Sequence, residues 1–218
     1  MIEWTAWRLF KLHGGGCTVP VREKRKNAVM PKISSPLPIQ YSIDRADRIR
    51  FINEAWLQFA CQNAGAHLNR AYVIGKSLWE FIEGEDISQL YGLIFKAVRT
   101  KHQAVVFRFR CDSSVCRRYF QLTVSPLQED ELMLSTHLIR EVSRSPVPLL
   151  DPDVQRGEPF LTICSWCLKA CLPKKEWVEL EEAIHRLDYL GKGVVPRLTH
   201  GLCLECQINI EEELKNLR

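Results

Sequence analysis

The order of periodic segments predicts an α+β protein, an antiparallel five-stranded sheet with helices on one face, followed by a small Cys-rich helical module. Three observations predict it. Apolar and polar residues alternate with period 2 in segments between Ile39 and Leu138, in the order strand, strand, helices, strand, strand, strand. Residues 142–160 hold Pro146, Pro148, Pro152, Pro159 and Gly157, the composition of a linker. Beyond them stand two Cys-x-x-Cys pairs, Cys164-Ser-Trp-Cys167 and Cys203-Leu-Glu-Cys206, with His200 three residues before the second.

The elements follow in order. Residues 1–37 show no sustained period and contain a Gly triplet and the basic run Arg22-Glu-Lys-Arg-Lys26, so they read as a disordered basic segment. Met30 precedes the first strand, which leaves residues 1–29 open to being an over-extended translation start. From Pro38, Ile39, Tyr41 and Ile43 form a strand, Asp44–Asp47 a turn, and Ile49-Arg50-Phe51 a second strand of a hairpin. Asn53 stands where a helix N-cap belongs, ahead of Trp56, Phe59 and Ala60 at helical spacing. Asp86 and Ser88 open a longer helix with a stripe of Leu90, Leu93, Ile94, Ala97 and Val98. Three strands follow: one with Phe107 and Phe109 alternating with Arg108 and Arg110, one with Phe120, Leu122 and Val124, and one with Leu132, Leu134, Thr136 and Leu138. After the linker, a helix is expected near 174–190, with Trp177, Leu180, Ile184 and Leu187 on one face and Gly191 to end it. A short charged helix closes the chain.

The 218 residues suit one ordinary domain plus a satellite, and the apolar and charged fractions of 46% and 26% are those of a globular protein. No stretch reaches the ~20 apolar residues of a membrane-spanning helix. Glu3 and Arg8 interrupt what would be the core of a secretory signal, so a cytoplasmic location is expected. The net charge of +4 is concentrated in residues 1–37, with seven Lys/Arg against two Asp/Glu; the remaining residues carry 23 against 24. The body is nearly neutral and lacks the global basic field of a nucleic-acid binder. The arginines Arg108, Arg110, Arg117 and Arg118 read as a solvated face or a docking surface for an acidic partner.

Nine cysteines in a chain without a secretory signal point to metal or redox chemistry rather than a disulfide framework. Each Cys-x-x-Cys turn brings two thiolates to one ion, so Cys164, Cys167, Cys203 and Cys206 make the tetrahedral set that structural Zn²⁺ favours. Such a staple explains how a tail of 161–218 folds with so little core. His200 would orient a thiolate through a hydrogen bond or replace one as ligand, and Cys171 is an alternative ligand. A reversible dithiol switch remains a second reading of the same cysteines. Covalent haem attachment is excluded, because Leu168 and Gln207 stand where each pair would need His.

Residues 38–141 resemble a PAS domain, the sensory module common in bacterial signalling proteins. The likeness rests on element order, on Asp47-Arg48-Ile49-Arg50-Phe51-Ile52-Asn53 (the family's D-x-I-x-x-x-N lead-in to the first helix), and on Val73-Ile74-Gly75-Lys76-Ser77-Leu78-Trp79 before the long helix. The tail resembles a cysteine motif of bacterial signalling proteins, here Cys164-Ser-Trp-Cys167, Trp177-Val-Glu-Leu-Glu181 and His200-Gly-Leu-Cys203-Leu-Glu-Cys206. The resemblance implies a signal-transduction or regulatory protein that senses or binds a partner through the PAS-like domain and forms a homodimer through it. Its ligand pocket would lie between sheet and helices, with Phe51, Trp56, Phe59, Phe107, Phe109 and Phe120 as candidates; the same stripe also reads as core filling. No phosphate-cradling glycine loop and no nucleophile with its base is present, so no enzyme activity is expected. A redox sensor and a nucleic-acid-binding regulator are the alternative functions.

Overall fold

In the computed structural model, which describes residues 37–63, 65–82, 84–151, 154–188 and 195–217, the chain is a mixed α+β protein built on two sheets. The expectation of a disordered basic segment over residues 1–37 falls, apart from Leu37, outside the described residues.

The first sheet has five strands, β1 (Ile39–Ile43), β2 (Ile49–Ile52), β3 (Val105–Arg110), β4 (Cys116–Pro126) and β5 (Leu132–Ser143). They lie in the order β2-β1-β5-β4-β3, each antiparallel to its neighbours. Between β2 and β3 run helices α1 (Glu54–Gln62), α2 (Arg70–Val73) and α3 (Glu85–Lys101), with a 3-10 turn at Leu78–Phe81. Asn53 caps α1 as its position predicts: its Oδ1 accepts from Trp56 N at 2.8 Å and Gln40 N at 3.1 Å, and its Nδ2 donates to Pro38 O at 2.7 Å. Asp47, in the left-handed region at φ 57°, ties the hairpin turn to the helices. Its carboxylate accepts from Arg99 at 2.7 Å and from the Trp79 indole at 3.0 Å.

The long helix buries Ile87, Leu90, Tyr91, Ile94, Phe95 and Val98, so its stripe centres on the two aromatics; Leu93, expected inward, is exposed. Leu138 is exposed too; it is the last residue in phase before β4 and β5 shift register between Tyr119 and Phe120.

The Cys-rich part is not the helical module expected. It is a four-stranded sheet, β8 (Glu176–Val178), β7 (Ala170–Leu172), β6 (Arg156–Cys164) and β9 (Val195–Gly201) in spatial order, with α4 (Leu180–Leu187) and α5 (Leu204–Lys215). Strands β6 and β9 are parallel and the other pairs antiparallel. The helix near 174–190 starts only at Leu180, because Glu176–Val178 pairs with β7 after a turn in which Lys174 and Lys175 take φ of 67° and 62°. It ends at Asp188 in the left-handed conformation; Gly191 lies outside the described residues.

The segment 142–160, expected as a linker, is largely built into the fold. Strand β5 continues to Ser143, Arg144 N donates to Val115 O, and Val147, Leu149 and Leu150 are buried with Leu161, Ile163 and Leu180 in the core of the second sheet. Two of its prolines sit where they cost no ladder bond: Pro148 opens a 3-10 turn, and Pro159 falls at the register shift between Gly157 and Phe160.

Candidate metal centre

The first cysteine pair lies on the turn from β6 to β7. Cys164 N donates to Lys169 O at 2.7 Å and Leu168 N to Cys164 O at 2.9 Å, which closes a tight knuckle with Leu168 at φ 61°. The second pair lies at the start of α5. Cys203 is the N-cap, its sulfur accepting from Cys206 N at 3.4 Å, so it sits at the positive end of a twelve-residue helix. Parallel pairing of β6 with β9 sets Cys164 beside Gly201, two residues before Cys203, and so brings the pairs together.

All four sulfurs lie within 4.8 Å of one another, and Cys167 Sγ is 3.8 Å from Cys203 Sγ. Four thiolates about 2.3 Å from one ion form a tetrahedron with edges of about 3.8 Å, so the donor set fits a tetrahedral ion. Cys164 Sγ accepts from Trp166 N and Cys203 N, both at 3.4 Å. Cys164, Cys203 and Cys206 are buried and Cys167 is half-buried. The group could hold a metal ion.

The cysteines act strongly on one another. Hydrogen bonds from Cys167 and Cys206, with help from the Cys203 N–H, pull the Cys164 thiol down to about 2. The contact with Cys164 pushes Cys167 up to about 12, and contacts with Cys164 and Cys167 push Cys206 higher still. Without a cation, one thiolate is held by its neighbours' protons; four thiolates together need a positive ion.

His200 and Cys171 lie outside this group. His200 stands on β9 opposite Ile163, and Cys171 on β7, where its sulfur donates to Leu172 O at 3.6 Å.

The knuckle docks on the open edge of β3. The Trp166 indole N–H donates to Arg108 O at 2.7 Å, and Arg110 N donates to Trp166 O at 2.9 Å. The Trp166 ring meets Phe107 edge-on at 5.6 Å and Phe109 at 6.0 Å, while Phe109 stacks on Phe120 at 5.6 Å. Three of the six pocket candidates therefore form a buried aromatic seat for Trp166. Trp56 and Phe59 are half-buried. Phe51 is 42% exposed, turned outward by the register shift between Ser42 and Ile43.

A second contact joins the same two parts. Arg110 binds Asp112 and, at 2.8 Å, Glu179; Arg117 reaches Glu181 at 2.9 Å and Glu179 at 3.4 Å; Arg144 reaches Asp112 and Glu181, each at 3.2 Å. The solvated reading of the four arginines holds for Arg108, which is exposed, and is corrected for Arg110, Arg117 and Arg118. Arg110 and Arg118 are buried: Arg110 meets Asp112 and Glu179 of the chain itself, and Arg118 donates to Cys111 O at 2.7 Å. Sequence reasoning singled out Trp177-Val-Glu-Leu-Glu181 as a motif without seeing that its glutamates meet these arginines. Beside the knuckle, Lys169 bonds Glu205 of α5 at 2.8 Å, and a groove of about 990 Å³ runs between the outer face of β3–β5 and α5.

No protein-family model matches the chain, and no curated protein matches it in sequence.

Proposed function

We propose that the chain is a signalling or regulatory protein without catalysis of its own, in which a PAS-like domain of residues 38–141 senses or binds a partner and a structural Zn²⁺ on Cys164, Cys167, Cys203 and Cys206 holds the Cys-rich part against it. The observation that carries this reading is the position of the four-sulfur group: it lies on the knuckle whose Trp166 occupies the edge of β3. Zn²⁺ supplies charge neutralisation and tetrahedral geometry with no redox step. The chain's own residues present the thiolates, donate N–H bonds to their sulfurs and bury them.

The PAS-like reading draws on the strand, strand, helices, strand, strand, strand order and on the work done by its two signature segments. Asp47 and Asn53 anchor the hairpin and the first helix, and Gly75 N donates to Ile49 O at 2.7 Å along the edge of β2. Exposed Val106, Leu138 and Ile139 on the outer region of the sheet support a homodimer. The pairing of Arg110, Arg117 and Arg144 with carboxylates supports leaving nucleic acid out. The described cysteines are all free thiols, in keeping with a reducing, cytoplasmic compartment, and no helix among the described residues is long and apolar enough to cross a membrane.

Metal analysis and an absorption spectrum of protein purified without reductant test the reading, with sedimentation to give the oligomeric state. One zinc per chain and no visible chromophore is the expected result. Metal-free protein with Cys167 and Cys203 disulfide-bonded would favour the redox-sensor alternative, and a haem or flavin band would overturn the assignment.

A further inference from the structure

The ion-pair network between the two parts is complete only when they are docked. Arg110, Arg117, Arg144 and Asp112 come from the first part, Glu179 and Glu181 from the second. Undocked, three arginines face one aspartate. In the docked structure the Arg110 and Arg144 side chains are each 8% exposed and Asp112 is fully buried, so within that contact the charge of the arginines is matched by Glu179 and Glu181 rather than by water.

The glutamates are connected to the sulfurs through β7 and β8. Ala170, three residues past Cys167, pairs with Val178, and Glu179 follows directly as the N-cap of α4. Between the two contact points, Trp166 lies within the Cys164–Cys167 turn itself. A displacement of Glu179 is therefore carried through β7 and β8 to the knuckle, and loosening the knuckle withdraws both Trp166 and the glutamates.

We infer that Glu179 and Glu181 are positioning residues for the metal centre: their docking on Arg110, Arg117 and Arg144 and zinc binding at the four cysteines form one coupled equilibrium, so that loss of zinc bares the β3 edge and the arginine cluster. The inference rests on the zinc reading above. Coupling of this kind is reciprocal. Weakening the glutamate contact must weaken zinc binding, and removing zinc must weaken the docking.

The test uses the full chain and zinc alone. Zinc affinity is measured by competition with a chromophoric chelator for the wild type, for the double variant Glu179→Gln/Glu181→Gln, and for Glu176→Gln. Glu176 pairs with Arg186 at 2.7 Å, an exposed contact in the same sheet that does not touch the arginine cluster. The double variant is expected to bind zinc about tenfold more weakly, and Glu176→Gln like the wild type. In parallel, hydrogen exchange of the Arg110 amide in the wild type, whose acceptor is Trp166 O, is expected to accelerate when zinc is chelated. This second measurement can still overturn the coupling even if the double variant does not fold. Unchanged zinc affinity in the double variant, equal weakening in Glu176→Gln, or an Arg110 amide indifferent to chelation would each overturn the coupling while leaving the zinc reading intact. A wild type that binds no zinc overturns both.

Discussion

At the scale of single residues, the contact between the two parts depends on Trp166. Its ring rests on Phe107 and Phe109, and its N–H and C=O both bond the edge of β3. Truncation to alanine should cost about 3–5 kcal/mol by urea unfolding, the usual loss for a buried aromatic. Phenylalanine keeps most of the apolar contact and gives up one hydrogen bond, so Trp166→Phe should cost far less; equal losses would show that the indole N–H, not the ring, dominates. Glu181 adds a pH signature. Burial alone would raise its carboxyl, but its own backbone N–H, Arg117 and Arg144 outweigh that and hold it below the ordinary range. A depressed carboxylate stabilises the fold above the unfolded value of about 4.3, and that stabilisation is lost as pH falls through the lower folded value. Glu181→Gln should therefore be less stable than the wild type at pH 7, with the gap closing below about pH 4. A gap that persists unchanged into acid would mean that shape rather than charge sets its role.

At the scale of elements, the sequence was legible wherever a local signal existed. Period-2 alternation located β1 to β5, Asn53 marked the first helix, and the spacing of the cysteine pairs picked out the four sulfurs that meet. Strand β6 is hidden in the sequence because the prolines from 146 to 159 outweigh the alternation of Leu161 and Ile163, yet Pro148 lies in a 3-10 turn and Pro159 at a register shift. The region 174–190 reads as helix by its apolar spacing, and only pairing with β7, a contact across the sheet, turns Glu176–Val178 into strand. Gly75 offers an element-scale test. It takes φ 85° in the connection where its N–H bonds Ile49 O and Lys76 O accepts from Ile49 N, so α2 is held along the edge of β2. A Cβ there would meet nothing within 4 Å. Gly75→Ala should then cost about 1–2 kcal/mol through the backbone alone; a near-zero cost in urea unfolding would mean that the connection relaxes without loss.

At the scale of the whole molecule, the least legible feature was that the parts share a core. Read along the chain, the sequence divides into a sheet domain, a linker and a Cys-rich tail, because burial between distant segments leaves no local periodicity. Cys164, Trp166, Cys203, Cys206, Ile210 and Leu217 belong to the same apolar cluster as the inner face of the five-stranded sheet, while Val147, Leu149 and Leu150 fill the second cluster. Three of the four cysteines thus belong to the main core and Cys167 packs against it, so removal of a bound metal should act on the whole protein. Structural zinc contributes about 10–16 kcal/mol in small zinc-dependent folds, against about 5–15 kcal/mol for the net stability of a domain. Chelation should therefore lower the thermal midpoint read from the five-stranded sheet as well as from the cysteine region, and zinc alone should restore both. If the sheet signal melts at the same temperature with and without zinc, the first core is self-sufficient and the cysteines stabilise only the part that carries them.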